Sequence, residues 1–521
     1  MRGAAGEALQ LLIYRNGSPE YRRAVFCSMD LRMRENTLLS VRCMAMVLAM
    51  ISSNQAKAQT FAVLHSFSIV SGPNNTNCDG VNPSGALFLS GSNLYGTAVY
   101  GGSFGVGTVF ELGTDGVFTT IHNFTGGSDG ANPYAGVIVS NNTLFGTTTG
   151  GGSAGAGTVF TLNVLGTGFT NLHSFTGPVK NSIGLYTNSD GAYPYTGLLL
   201  SGAVLYGAAN NGGASGQGTL FSVNTNGSGF SNMHNFSSGS GGAYSSVGLL
   251  LSVDTLYGAN YGNLGAGTLF GIQTNGTGFT NNYAFTPGQL NNIGILTNSD
   301  GANPHADLIL SGDTMYGTTE YGGLSGRGTV FAANTNGSGF TTLHNFAEGG
   351  YNPVGLFTNA DGANPSSALV RSGNRLYGTA RAGGYSGNGT IFTLNIDGTE
   401  FTNLYTFSPT PRYPEPQINS DGANPSGGLV LSDSTLYGLT ANGGPSGNGT
   451  VFSLSFLPRL TIILSGGNIV LSWPTNLAGF DLSGFVLQSA PAVTGTFTNI
   501  QGASNPYTNS IGQQQFYRLK E

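Results

Sequence analysis

The side chains best suited to chemistry recur at fixed places in this chain. His65, His122, His173, His234 and His344, five of the six histidines, share one position of an internal repeat. A ring of imidazoles would suit a metal. Two further copies carry Tyr283 and Tyr405 there instead. Tyrosine keeps an aromatic body with a polar tip, which fits a buried strand position that makes one hydrogen bond. Equivalent positions also fall in different repeats and need not converge. The position therefore reads as structural, and no metal or cofactor is expected. Asp79, Asp129, Asp190, Asp300, Asp361 and Asp421 each open a "DG-x-x-P" stretch. Calcium needs about six to eight oxygen ligands at one point, and each stretch offers one carboxylate. An aspartate capping its own turn is the expected role. The fourth repeat has "GGAYS" from Gly241 instead.

Charged residues make up only 8% of the chain, so charges that break the repeat stand out. His305 stands where other copies have Ser84, Tyr134, Tyr195, Ser245, Ser366 and Ser426, with Asp307 two residues on. Glu320 replaces Val99 or Thr149, Arg381 holds the same place one repeat later, and Arg327 replaces Val106 or Ala156. These five residues form a candidate ligand-binding site. The plainer alternative is a surface ion pair between Glu320 and Arg381, worth little. No residue presents itself as catalytic. The "GG-x-SG-x-G" stretches are not phosphate cradles, because a strand follows them where a cradle needs a helix N-terminus.

The elements that carry these residues are short strands. In the third repeat they are "FTNLHSF" from Phe169, "GLLLS" from Gly197, "VLYGAA" from Val204 and "GTLFSVN" from Gly218, all bounded by Gly, Asn, Asp or Ser. Turns such as Ser201-Gly202 and "NTNGSG" at Asn224–Gly229 join them. The "LYG"-type glycines are Gly96, Gly146, Gly207, Gly258, Gly317, Gly378 and Gly438, spaced by 50 to 61 residues. Four strands in such a span is the size of a propeller blade. "FAVLHSF" at Phe61–Phe67 has no earlier partner, and "GTVFSLS" at Gly449–Ser455 has no follower. Their pairing would remove an open edge. The expected fold is all-β, a seven-bladed β-propeller over 59–456 closed by its N-terminal strand. A small β-sandwich at 457–521, with the single tryptophan Trp473 as core anchor, completes it.

The repeat resembles the GloVer (choice-of-anchor) tandem-repeat family of exported bacterial proteins. The resemblance rests on "LYGTT"-type strands followed by "GG-x-SG-x-G-TVF", as in Leu144–Phe160 and Met315–Phe331, and covers roughly residues 61–456. It implies export and a propeller-like fold and supplies no catalytic residues.

The N-terminus fits that expectation. Arg32, Arg34 and Arg42 precede the apolar run Cys43–Ile51, and "AKA" at Ala56–Ala58 offers a cleavage site. The leader is read as 1–58, cut after Ala58, with Met29 or Met33 as alternative starts. The apolar run is shorter than the roughly 20 residues of a spanning helix, so no membrane span is expected in the mature chain. Residues 1–58 hold eight of 17 basic and four of 23 acidic side chains. The remainder is net acidic, which offers no footprint for nucleic acid. Cys78 is left alone there, so no internal disulfide can form. A monomer, secreted, periplasmic or held at the cell surface, is expected. It would act as a binding or scaffold module for a carbohydrate or protein ligand. The alternatives are an extracellular glycan-active hydrolase or lyase and a purely structural surface protein; fold alone does not separate them.

Overall fold

The computed structural model describes residues 59–237, 248–262, 266–291, 294–411, 418–458, 460–465, 468–492, 494–510 and 515–520. The expected leader and the "GGAYS" stretch lie outside them. The described residues form strands and turns and contain no helix, so none is long and apolar enough to cross a membrane. The chain divides into two compact units, one of them Phe61–Ser455 and the other including Phe456–Glu521.

Among the described residues, the larger unit contains seven antiparallel sheets of four or five strands. In the third copy the order is Leu199–Ser201, Val204–Ala209, Thr219–Asn224, Ser231–Asn235. The last copy takes its fourth strand from the other end of the region. Gln59–Ser66 pairs with Thr450–Phe456, followed by Thr435–Asn442 and Ala423–Ser432. Phe67 N–H donates to Gly449 O at 3.2 Å, Asn448 Nδ2 to Ser68 O at 2.6 Å, and the Ser446 hydroxyl to Phe67 O.

The "LYG" glycine is explained by its cross-strand partner. Gly207 sits opposite Phe221, Gly96 opposite Phe110, and Gly378 opposite Phe392; the other copies repeat this register. Each of these phenylalanines is fully buried. A Cβ on Gly207 would lie 2.5 Å from Cζ of Phe221 and 3.0 Å from Leu198. The tip of the ring takes the place a side chain would fill, so glycine here supplies space rather than an unusual φ.

The longer repeats carry an element that strand counting missed. Two-stranded hairpins, Val179–Lys180 with Tyr186–Thr187, Gln289–Leu290 with Leu296–Thr297, and Gly350–Tyr351 with Phe357–Thr358, precede the DG stretch. They account for three of the four spacings near 60, those ending at Gly207, Gly317 and Gly378, where other copies are near 50.

The histidines and aspartates prove to be partners. His65 Nε2 lies 3.0 Å from Asp79 Oδ2, His173 Nε2 3.0 Å from Asp190 Oδ2, and His344 Nε2 2.9 Å from Asp361 Oδ2. His122 and Asp129 repeat the pair at 3.2 Å. Where the repeat has tyrosine, the phenol donates instead: Tyr283 to Asp300 at 2.8 Å and Tyr405 to Asp421 at 2.7 Å. The same carboxylates accept from the backbone just past the outer strand, as at Ser68 N–H and Thr176 N–H, both 3.0 Å. The expectation of an aspartate capping its own turn is thus corrected. The carboxylate ties its loop back to the preceding strand.

Each of these rings also stacks on a phenylalanine of the next sheet. The pairs are His65–Phe118, His122–Phe169, His173–Phe230, His234–Phe279, Tyr283–Phe340, His344–Phe401 and Tyr405–Phe61, with centroids 3.6–4.5 Å apart. Phe61 and His65 share the N-terminal strand, so the series of contacts returns to the first sheet.

The rest of "DG-x-x-P" joins neighbouring sheets. Gly191, at φ +92°, leaves no room for a Cβ against Thr219. Asn132, Asn364 and Asn424 adopt positive φ near 55° and donate from Nδ2 to Val99 O, Glu320 O and Arg381 O of the preceding sheet at 3.0–3.1 Å. A further asparagine, unnoticed in the sequence, clamps the two loop types together. Asn188 Oδ1 accepts from Gly191 N–H and Gly213 N–H, at 3.0 and 2.7 Å. Asn77, Asn298, Asn359 and Asn419 repeat it.

In the smaller unit, one three-stranded sheet is Thr461–Ser465, Asn468–Ser472 and Tyr507–Ser510. A second is Thr498–Asn499, Val486–Ala490 and Phe516–Lys520. Leu471, Trp473 and Leu487 form its buried cluster, with Ile462, Tyr507 and Leu519 against it.

Three outcomes are expected. Deleting residues 59–67 leaves the last sheet one strand short and removes both Phe61 and His65 from the contact series. A thermal melt will show a sharp fall in midpoint. Gly207→Ala forces a methyl into the Phe221 ring and will cost roughly 1–3 kcal/mol by denaturant titration, as overpacking does. The third concerns the His–Asp pairs. Burial pushes Asp79 and Asp190 up, but the hydrogen bonds from His65 and Ser68, and from His173 and Thr176, outweigh it and hold both below 3.8. Their contribution is complete above 3.8 and lost as pH falls through the lower folded value. Burial lowers His122 and His234 below 6.5, more than Asp129 raises the former. A second loss therefore begins as pH falls through 6.5. Melting midpoints against pH will show both declines. Asp190→Ala, which strands the Thr176 amide, will cost roughly 1–3 kcal/mol, whereas His122→Tyr, an exchange the repeat itself makes, will leave the midpoint nearly unchanged.

Candidate functional site

Two kinds of position escape these structural duties. One follows the proline of "DG-x-x-P"; the other ends the "LYG" strand. Register brings them to the same end of the sheets. Val81 pairs with Tyr100 and Pro83 with Ala98; likewise Ala302 pairs with Tyr321 and Pro304 with Thr319.

In each of the first three copies a tyrosine stands at one of these two positions: Tyr100 at the strand end in the first, and Tyr134 and Tyr195 after the proline in the second and third. The Tyr100 and Tyr134 hydroxyls are 2.7 Å apart, and the Tyr134 and Tyr195 ring centroids 4.9 Å apart. Tyr100 and Tyr195 are each 42% exposed. Burial raises the Tyr134 phenol, and its hydrogen bond to Tyr100 raises it further. The cluster offers ring faces and hydroxyls to a ligand.

The fifth and sixth copies hold the charged departures, and the fourth adds Tyr261 beside them. His305 is exposed, and its ring lies 6.4 Å from that of Tyr261, edge to face. Glu320 is only 9% exposed and Tyr321 beside it 39%. Burial raises the Tyr321 phenol to about 12; the charge of Glu320, a hydrogen bond to it and Tyr261 add to this, while Arg381 opposes it. Burial and then Glu320 likewise raise Tyr261. Asn364 fixes the spacing of the two charged positions. Its Nδ2 donates to Glu320 O at 3.0 Å, and its own carbonyl accepts from Arg381 N–H at 3.2 Å. Arg381 is exposed, and among the described residues no ion pair joins it to Glu320.

The other two expected site residues are engaged elsewhere. The Asp307 carboxylate accepts from Gly248 N–H at 2.5 Å. Burial raises its pKa, which that bond and His305 offset in part. The Arg327 guanidinium lies 3.7 Å over the ring of Phe357, in the hairpin of its repeat. His305, Glu320 and Arg381 therefore share surroundings with Tyr261 and Tyr321. Tyr261 was missed because its repeat is one residue shorter at this point, which hides the alignment with Tyr100 and Tyr321. Among the described residues no group of three or more His, Cys, Asp or Glu could hold a metal ion.

No curated protein matches the sequence. Among solved structures, a puromycin-hydrolysing peptidase of Mycobacterium tuberculosis is similar at 9% identity and a TM-score of 0.45, over 78% of this chain and 61% of that one. An oligogalacturonate lyase in complex with manganese is similar at 10% identity and a TM-score of 0.43, over 76% and 96%. The model of the Gloeobacter/Verrucomicrobia repeat matches in three tandem stretches, residues 50–184, 180–356 and 289–465. These stretches contain every "LYG" strand and "DG-x-x-P" loop described above, and the chain belongs to that repeat family.

Proposed function

We propose that the repeat region is a closed seven-bladed propeller, exported from the cell, that binds carbohydrate on the end of the sheets bearing the tyrosine arc. The returning series of aromatic contacts and the N-terminal strand in the last sheet support closure. The two small C-terminal sheets around Trp473 fit a sandwich, and the leader pattern before Gln59 fits export of a monomeric chain.

One observation carries the binding reading: Tyr100, Tyr134 and Tyr195 touch in sequence at one end of three successive sheets and remain partly exposed. A tyrosine face covers the C–H face of a pyranose, and its hydroxyl bonds to the sugar's rim, so one residue serves both sides of an amphipathic ligand. Other copies do without these rings, having Ser84, Ser366 and Ser426 at the Tyr134 position. The frame therefore does not require them.

Affinity electrophoresis of the secreted chain against soluble polysaccharides tests this reading. Retardation by at least one polysaccharide is expected, with at least tenfold weaker binding for the Tyr134→Ala, Tyr195→Ala double variant at unchanged melting midpoint. No retardation, or unchanged retardation of the variant, overturns it. Turnover of a retained polysaccharide in the same samples would replace the binding role by an enzymatic one.

A further inference from the structure

We infer that Glu320, Arg381, His305, Tyr261 and Tyr321 form the polar subsite of this face, and that it selects neutral pyranosides presenting adjacent hydroxyls over acidic sugars. The inference rests on the carbohydrate reading above. Asn364 holds Glu320 and Arg381 side by side by bonding to the backbone of both, at 3.0 and 3.2 Å. Neither charge is needed by the frame, since Val99, Thr149 and Ala441 stand at the same place in other copies. Tyr261 lies within electrostatic reach of Glu320, its ring centroid is 6.4 Å from that of His305, and Tyr321 is 39% exposed next to Glu320.

The chemistry of that set points to a diol. A carboxylate only accepts hydrogen bonds, and a guanidinium only donates them. Two adjacent sugar hydroxyls can donate one proton to the first and accept from the second. A neighbouring tyrosine ring covers the apolar face of the same sugar. Bonds in which one partner is charged are roughly twice as strong as neutral ones. A ligand lacking the hydroxyl pair forgoes both of these bonds and binds more weakly. An acidic sugar would bring its carboxylate to Arg381 but also beside Glu320, in a chain that is net acidic after residue 58. Like charges at that distance oppose binding.

The test uses the full exported chain and isothermal titration with four probes: the hexasaccharides of β-1,4-glucose, β-1,4-mannose and β-1,4-xylose, and the galacturonate hexamer. Binding of at least one neutral hexasaccharide, at least tenfold tighter than galacturonate, is expected. Glu320→Gln and Arg381→Ala should each weaken it at least tenfold at unchanged melting midpoint, and Glu320→Thr, the residue type of another copy, should do the same. Tighter binding of galacturonate, binding of no hexasaccharide, or neutral binding unchanged by both Glu320 variants overturns the inference. If the charge variants bind normally while Tyr134→Ala, Tyr195→Ala does not, only the polar subsite fails. If both sets bind polysaccharide normally, the carbohydrate-face reading fails with it.

Discussion

The larger unit depends on one recurring contact, a polar aromatic ring pressed flat against a phenylalanine of the next sheet and, for six of the seven rings, held from behind by a carboxylate. Antiparallel sheets of three-to-ten-residue strands have little surface to bind a neighbour. The stack concentrates aromatic area at the sheet-to-sheet joint, and the buried Phe67, Phe124, Phe175, Phe236, Phe285, Phe346 and Phe407 lie edge-on beside it. The hydrogen bond to aspartate gives the ring's polar tip a partner, which burial requires. One aspartate therefore fixes the ring, the end of the outer strand and the loop that leads into the next sheet.

That economy explains a composition that looks weakly folded. A chain with 86 glycines and 8% charge has few ion pairs to draw on. Its stability is assembled from fully buried phenylalanines over bare glycine backbone and from side-chain amides that replace secondary structure in the loops. Asn188, Asn298, Asn359 and Asn419 each satisfy several loop groups at once. Arg375 with Glu400 at 2.8 Å is a rare conventional salt bridge here, and Glu400 is exposed, so it contributes little.

The strand order was legible from the sequence because it rests on local signals. "LYG", "GTVF" and the glycine turns mark strands and their ends within a few residues. The unpaired "FAVLHSF" and "GTVFSLS" identified the strand exchange between the two ends. The His–Asp pairing was not legible, because the hairpins change the spacing: His122 and Asp129 are seven residues apart, His173 and Asp190 seventeen. With no constant offset, each set was read alone, as a strand position and as a turn cap. The contact of Arg327 was hidden for a similar reason. Its ring partner, Phe357, sits in a hairpin that has no counterpart in the shorter repeats.

The division between held and free positions then locates function more narrowly than any motif. Within "DG-x-x-P", the aspartate, glycine, asparagine and proline each meet a defined neighbour, and within "LYG" the glycine meets a phenylalanine. The residue after the proline and the last residues of the "LYG" strand meet no demand common to all copies; single copies bond locally, as Ser426 does to Pro83 O at 2.8 Å and Thr149 to Asn132 O at 2.9 Å. Their types accordingly range over serine, tyrosine, histidine, glutamate, arginine and alanine from copy to copy. Register places all of them at one end of the sheets, so variation that costs the frame nothing accumulates on a single surface. A repeat built this way can change what that surface binds one sheet at a time, with neutral rings on the first three sheets and paired charges on the fifth and sixth, while every joint between sheets stays the same.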